Sequence, residues 1–139
     1  GNEKQKYVTI ILDDRHPKIF GLDRLDNSRT VYVVEGPIDS LFLENGIAVA
    51  QSDLRVPQYK DKAVLVPDNE PRNVEVCKQI QKFIDDGYAV CIWPQGIKEK
   101  DINDMILSGM TSAEIQSIIH SNTHKGLKAK TVFNSWKRT

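Results

Sequence analysis

Four short apolar runs divide the chain, and a polar segment containing glycine or proline follows each of them. The runs are residues 31–34, 47–50, 63–66 and 88–93. Uninterrupted apolar runs of this length are typical of strands buried on both faces, as in the parallel sheets of α/β proteins. An earlier apolar run at 7–12 predicts an opening strand, and residues 18–21 predict a second short one.

Helical periodicity fills the stretches between these runs. We expect a helix over residues 37–45, with Gly46 at its C-terminal end. Apolar residues at helical spacing predict a second helix that stops at Gly87, namely Val74, Cys77, Ile80, Phe83 and Ile84. Asp101 opens a short helical segment, and the capping-box spacing at 111–114 predicts one more helix.

The alternation of strands and helices predicts an α/β domain. Its central sheet is expected to be mostly parallel, flanked by helices and linked by right-handed crossovers. We expect this unit to occupy residues 31–120. Residues 1–30 would add strands at an edge or belong to a neighbouring subdomain. The chain opens on Gly1 within an extended-looking segment, so we expect an excised fragment.

Composition is that of one ordinary globular domain, with 139 residues of which 40% are apolar and 27% charged. Its 19 basic and 19 acidic residues cancel, so the overall charge does not indicate a nucleic-acid partner. No apolar run approaches the ~18 residues of a membrane helix, and no signal peptide opens the chain. Cys77 and Cys91 fall at core positions, as expected in a reducing compartment such as the cytoplasm.

The C-terminal segment, residues 121–139, carries only positive charge. It has five basic residues and no acidic one, namely Lys125, Lys128, Lys130, Lys137 and Arg138. Such a basic tail either contacts nucleic-acid phosphates or is a solvated terminus. Lys125, Lys128 and Lys130 are the candidate nucleic-acid contacts.

Acidic side chains follow three of the predicted strands at the points where the strands end. In chain order they are Glu35, Asp39, Asp68, Glu70, Asp101 and Asp104. Because neighbouring parallel strands end side by side, about 5 Å apart, we expect acids from three distant parts of the chain to meet. Carboxylates this close repel one another unless a cation neutralises them. Oxygen ligands favour Mg²⁺ or Mn²⁺ over zinc.

The predicted roles of these acids differ. The candidate metal ligands are Glu35, Asp68, Glu70 and Asp101, whereas Asp104 is expected to cap its helix. Glu35 and Asp39 have an alternative interpretation as N-terminal helix acids, which the helix dipole favours.

Two basic residues stand beside the acids in sequence. Lys100 and Arg72 are candidate phosphate contacts, and the alternative is ordinary surface charge. A divalent cation in such surroundings suits phosphoryl transfer, in which it neutralises charge developing on the phosphate oxygens.

Three motifs together resemble the Toprim domain of primases, topoisomerases and some nucleases. They are EGPID at 35–39, DNE at 68–70 and KDIND at 100–104. The EGxxD form resembles the primase branch. The longer stretches VYVVEGPIDSLFLENGIAVA, VPDNEPRN and KDINDMI are similar to the DNA primases of large tailed phages of the T-even type. The resemblance covers about residues 6–130.

The resemblance implies a Rossmann-like Toprim fold and a Mg²⁺- or Mn²⁺-dependent nucleotidyltransferase. Such an enzyme makes short RNA primers from NTPs on single-stranded DNA for lagging-strand synthesis, beside a replicative helicase in the infected bacterial cell. It implies that Glu35 acts as general acid/base or metal ligand. Asp39 is the second candidate catalytic residue, because it could orient Glu35 or bind the metal through water. The resemblance also implies that Asp68, Glu70 and Asp101 hold the metal. The motif usually has aspartate where this chain has Glu70, whose side chain is longer.

The resemblance further implies that residues 1–30 are the remnant of a preceding polymerase core. We therefore expect the 139 residues alone to make primers weakly or not at all. Two alternatives come from other classes. One is a Toprim nuclease or topoisomerase-related domain that uses the same acids. The other is a non-catalytic module that docks on a helicase or on single-stranded DNA through the basic tail.

Overall fold

The described residues form one five-stranded sheet. The structure is a computed structural model and describes residues 18–139. Its strands are β1 (Val31–Val34), β2 (Gly46–Ala48), β3 (Ala63–Leu65), β4 (Ala89–Cys91) and β5 (Thr123–His124). They lie in the order β2-β1-β3-β4-β5, the first four parallel and β5 antiparallel to β4. The prediction of a mostly parallel α/β sheet is confirmed.

Helices pack on both faces of this sheet. They are α1 (Pro37–Ser40), α2 (Val74–Asp85), α3 (Ile102–Leu107), α4 (Ser112–Ser121) and α5 (Gly126–Trp136). Short 3₁₀ turns lie at Leu22–Arg24 and Pro57–Lys62. One core contains buried side chains of α2 and α5, such as Phe83 and Phe133. The other contains buried side chains of α3 and α4, such as Met105 and Ile119.

The central strand shows why the apolar runs are uninterrupted. Val33 of β1 belongs to the core beneath α2 and α5, whereas Val34 belongs to the core beneath α3 and α4. Val33 also pairs with Ile47 of β2 on one side and with Leu65 of β3 on the other. Successive side chains of a strand point to opposite faces, so a strand covered on both faces needs apolar residues at every position.

Local signals set the ends of two of the predicted helices. The side chain of Asn73 accepts a hydrogen bond from Val76 N at 3.1 Å and begins α2. Gly87, just past its end, has a positive φ of 82°. Thr111 Oγ1 accepts from Glu114 N at 3.1 Å, which is the predicted capping box of α4. Of the predicted apolar face of α2, Cys77, Ile80, Phe83 and Ile84 are buried and Val74 is exposed.

The first helix is shorter than the periodicity predicts. α1 ends at Ser40, whose hydroxyl donates back to Pro37 O at 2.6 Å. The next turns are closed by bonds between residues three apart, as from Leu43 N to Ser40 O at 3.3 Å. Asn45 then takes the left-handed conformation, with φ 56°, that a terminal glycine was expected to take. The role predicted for Gly46 was therefore wrong, because Gly46 is the first residue of β2.

Gly46 is needed for close packing, and this is testable. A Cβ atom at Gly46 would lie 2.7 Å from Ser40 O and 3.0 Å from Leu43 Cβ. We expect Gly46→Ala to lower the free energy of unfolding by about 1–3 kcal/mol, measured by urea denaturation. Gly96→Ala is the matched control, since a Cβ there meets nothing within 4 Å. Equal stability of the two variants would contradict this role.

The sheet and the core continue past residue 120, where the sequence predicted the domain to end. β5 pairs with β4, and α5 buries Ala129, Phe133 and Trp136. These three residues have the spacing of one helical face, while the basic residues of the segment lie at other positions of the helix. The segment predicted as a basic tail is therefore folded, and its mixed apolar and basic pattern is that of an amphipathic helix.

The N-terminal predictions are covered only in part. The strand predicted at 7–12 lies outside the described residues. At 18–21 the structure has a single antiparallel bridge, from Phe20 to Ala48 at the free edge of β2. Cys77 and Cys91 are buried and free, as predicted, and burial raises the pKa of the Cys91 thiol. None of the helices in the part of the chain that the structure describes has both the length and the apolar character needed to cross a membrane.

Candidate active site

The candidate site lies where β1 and β3 end side by side. The chain leaves β1 towards β2 and leaves β3 towards β4, on opposite sides of this pair. Open α/β sheets bind ligands at such a switch point, outside the carboxyl ends of the strands. Val66 N donates to Val33 O at 2.8 Å, so the two strands stay paired up to the acids. Glu35 and Asp68 thus follow adjacent strands at one edge.

Asp39 joins two helices of this edge. Its carboxylate, 8% exposed, accepts a hydrogen bond from Asn103 N in α3 at 2.8 Å. Burial raises the pKa of Asp39, and the nearby charges of Asp101, Asp104 and Glu35 raise it further, while the Asn103 hydrogen bond opposes them. Asp39 therefore holds α1 against α3, in addition to the catalytic role predicted from the sequence.

Asp68 has the most perturbed carboxyl group of the cluster. Burial, followed by the charges of Glu35, Asp39, Asp101 and Glu70, raises its pKa to about 7. A carboxylate is sensitive to other charges only when they are close. Acids from three distant parts of the sequence are thus brought within electrostatic range of one another, as the sequence predicted.

Asp101 caps α3, and this corrects the prediction that Asp104 would do so. Asp101 has an extended backbone just before the helix, and its Oδ1 accepts from Asp104 N at 2.8 Å. Asp104 lies in the first turn, where its side chain cannot reach the free N–H groups in the same way. The other oxygen of Asp101, Oδ2, lies 3.9 Å from Lys100 Nζ.

A buried asparagine, Asn69, completes the edge, and the sequence analysis missed it. Asn69 stands between Asp68 and Glu70, and its side chain donates to Ile97 O at 2.9 Å and to Glu99 O at 3.1 Å. It thereby attaches the loop that leads to Asp101. Its position within the DNE motif was the one available signal, since asparagine is common in exposed turns.

The two candidate phosphate contacts are both exposed. Lys100 is exposed beside Asp101, so the structure brings it to the cluster. Arg72 is exposed in the turn that precedes α2, two residues after Glu70 in sequence. Both remain predictions, because an exposed basic side chain is also ordinary surface charge.

The candidate nucleic-acid contacts lie at the other end of the described chain. Lys125 precedes α5, and Lys128 and Lys130 lie on its exposed surface. Lys130 Nζ is 3.6 Å from Asp85 Oδ1, which offsets part of its charge. These residues lie on or next to a folded helix, so any nucleic acid would contact them on a fixed surface.

The donor chemistry at the edge fits a hard divalent cation. Within residues 18–139, no three acidic, histidine or cysteine side chains are grouped tightly enough to form a ready-made metal cage. The available donors are nevertheless all oxygens. Burial and, after it, repulsion by the other acids raise the pKa of Asp68, and a cation would relieve that repulsion. Glu35, Asp68, Glu70 and Asp101 would hold Mg²⁺ or Mn²⁺, and this ligand set stays a prediction.

The raised pKa of Asp68 predicts an unusual pH dependence. Its pKa is about 7 in the folded chain and about 3.9 in an unfolded one. The folded state therefore holds a proton between these values that the unfolded state releases, and stability falls as pH rises through this window. Asp68 is partly exposed, so we expect only about 1–2 kcal/mol of loss after solvent screening. Thermal denaturation of the metal-free chain from pH 5 to 8 measures it.

Asp68→Asn is the control for this pH dependence. The variant cannot titrate at position 68, so its stability should fall less over the same pH range and should exceed that of the parent at pH 8. Parallel pH profiles for the parent and the variant would contradict the assignment. A divalent cation should restore the stability of the parent at pH 8 more than that of the variant.

The chain was compared with known protein families and with curated proteins. No family model matches the chain. The chain is 45% identical to the DNA primase of Enterobacteria phage T4 over 130 residues, which are 91% of this chain and 38% of that protein. It thus spans well under half the length of the curated relative that it matches. Over most of its length the chain is therefore similar to part of a phage DNA primase, and it folds as an α/β domain.

Proposed function

We propose that this chain is the Toprim catalytic domain of a phage DNA primase. The enzyme would be a metal-dependent nucleotidyltransferase that makes short RNA primers on single-stranded DNA for lagging-strand replication. The observation that carries the proposal is the meeting of acids from three distant parts of the chain at the switch point between β1 and β3. The likeness to T4 DNA primase, a protein named for that activity, supports it.

Each residue at the edge has a role in the proposed chemistry. Primer extension joins the 3′-hydroxyl of one nucleotide to the α-phosphorus of an NTP and releases pyrophosphate. Mg²⁺, when bound, supplies charge neutralisation at the phosphate oxygens. Glu35 is exposed, so its carboxylate is accessible to accept the hydroxyl proton. Asp39, bonded to Asn103, keeps α1 and hence Glu35 in place.

The partners of the domain follow from the same proposal. NTP phosphates would meet Lys100 and Arg72, and the DNA template would meet the basic face of α5 at Lys125, Lys128 and Lys130. A replicative helicase would bind the complete protein in the cytoplasm of an infected bacterium. Glu35→Gln or Asp68→Asn would then stop synthesis, whereas a non-catalytic docking module would tolerate both changes.

A hybrid enzyme tests the proposal. In this hybrid primase, the chain replaces the matching segment of T4 DNA primase, with which it shares 45% identity. Incubated with single-stranded DNA, NTPs and Mg²⁺, it should yield short RNA. Fragmentation of the DNA without use of NTPs would support a nuclease instead. Synthesis that survives Asp68→Asn would contradict the catalytic assignment.

The isolated 139 residues provide a second measurement. Their melting temperature should rise with Mn²⁺ or Mg²⁺, because the cation binds only the folded state. Primer synthesis by them should be weak or absent without the rest of a polymerase. Efficient template-dependent synthesis by the isolated chain would contradict that expectation.

A further inference from the structure

Asn69, which lies between Asp68 and Glu70, attaches the end of β3 to the loop that leads to Asp101. Its Nδ2 donates to Ile97 O at 2.9 Å and to Glu99 O at 3.1 Å, and its backbone N donates to Lys100 O at 2.6 Å. The side chain is 8% exposed, so these bonds form away from water. Three bonds from one residue therefore fix the loop immediately before Asp101 against the end of β3.

A tryptophan from the C-terminal helix completes the hydrogen bonding of Asn69. Trp136 Nε1 lies 3.3 Å from Asn69 Oδ1 and donates to it. Trp136 is the last residue of α5 and is 6% exposed. Arg138, two residues on, donates its backbone N to Pro71 O at 2.7 Å. The end of α5 is thus attached to the acid-bearing segment at two points.

The attachments alternate with the acids along the segment. Pro67 O accepts from Trp93 Nε1 at 2.8 Å, Asn69 bonds Trp136, and Pro71 O accepts from Arg138 N. The residues between these three anchors are Asp68 and Glu70. Every second residue of the segment is therefore hydrogen-bonded to another part of the fold. The two acids between these residues remain available to the acidic cluster.

We propose that Asn69 is a positioning residue that, together with Trp136, sets the placement of Asp68 relative to Asp101. Through this pair, α5 supports the candidate active site. It packs on the face of the sheet opposite to the face that α3 covers. The proposal rests on the proposed function in one respect, since it takes the placement of the acids to matter for divalent-cation binding. A merely structural role would instead require Asn69 only for keeping the chain folded.

Three variants of the 139-residue chain separate these roles. Asn69→Ala removes the side-chain bonds to both loop carbonyls and to Trp136. Trp136→Phe keeps an aromatic ring but cannot donate to Asn69. Phe133→Leu is the matched control, because Phe133 is buried on the same helix and has its ring 6.2 Å from that of Trp136. It trims the packing of α5 without removing a bond to the segment.

Amide hydrogen exchange is the first measurement, and it needs no metal. We expect Asn69→Ala and Trp136→Phe to speed exchange at least fivefold at the amide of Asp104, which is bonded to Asp101 Oδ1. In Trp136→Phe, the amide of Asn69, bonded to Lys100 O, should respond in the same way. Phe133→Leu should leave both amides within twofold of the parent. Unchanged exchange in Trp136→Phe would overturn the proposal even if Asn69→Ala fails to fold.

Mn²⁺ binding is the second measurement, made by calorimetry at a temperature where every variant is folded. Loss of a residue that orients metal ligands typically weakens metal binding 10- to 100-fold. We expect Asn69→Ala to bind Mn²⁺ about tenfold more weakly than the parent. Trp136→Phe should lose less affinity, and Phe133→Leu should lose none. Equal loss in Phe133→Leu would mean a structural role and overturn the proposal. If the two variants exchange faster but the parent chain binds no Mn²⁺, the positioning role is kept and the proposed function alone is contradicted.

Discussion

Replacing Glu35 by glutamine is expected to lower primer synthesis by the hybrid primase about 10³-fold while leaving the fold intact. General acid–base groups contribute about 10²–10⁴-fold to rates, and glutamine can neither accept the hydroxyl proton nor supply negative charge to a cation. Glu35 is exposed where β1 ends, so the nearly isosteric change disturbs little packing. The initial rate of labelled RNA formation measures the effect, with circular dichroism as the check on folding.

Glu44→Gln is the control for the Glu35 variant. Glu44 comes shortly after α1, whereas Glu35 comes just before it. Glu44 is also exposed, but its carboxylate pairs with Arg29 at 3.1 Å, away from the acid cluster. We expect its rate of synthesis to stay within about twofold of the parent, as for most surface changes. A Glu35→Gln enzyme that keeps more than a tenth of the parent rate would remove Glu35 from the proposed catalytic group.

Asp101→Asn is expected to lower synthesis about 10²-fold without a loss of stability. Asparagine caps helices as well as aspartate does, so the bond from Asp104 N is kept while the negative charge is lost. The experiment thus separates the two roles of Asp101, the helix cap and the cation ligand. The rate of the hybrid primase and the urea midpoint of the 139-residue chain are the two measurements.

Asp101→Ala provides the comparison, because alanine loses both the cap and the charge. Its free energy of unfolding should fall by about 1 kcal/mol, and its rate should match that of Asp101→Asn. If Asp101→Asn instead keeps the parent rate and only Asp101→Ala loses it, then Asp101 acts as a helix cap and the proposed ligand set loses one member.

The parts of the fold that depend on strong local patterns were predictable from the sequence. The runs at β1, β3 and β4 are continuously apolar, and the acids stand directly after two of them. Neighbouring parallel strands bring their ends together, so the convergence of Glu35 with Asp68 followed from strand order and topology. The capping box at Thr111 was equally clear, because its two side-chain partners are three residues apart.

Other features depend on contacts between residues far apart in sequence, which no local pattern records. α1 ends early because the chain must turn back into β2, where Gly46 packs directly against Ser40 O. Which acid caps α3 depended on the backbone conformation of Asp101. The role of Asn69 depends on partners 28, 30 and 67 residues away, so the motif marked its position but could not indicate its bonds.

The two-residue strand β5 has a practical consequence for anyone who shortens this protein. It covers one margin of the sheet, and Ile92 N, next to β4, donates to Asn122 O at 3.0 Å. A version trimmed at residue 120 would uncover Val90 and Ile92, now 0% and 2% exposed, and leave β4 as an open edge. Open apolar edges pair with other chains, so such a version should collect in inclusion bodies. Expression of the domain needs its boundary beyond Trp136.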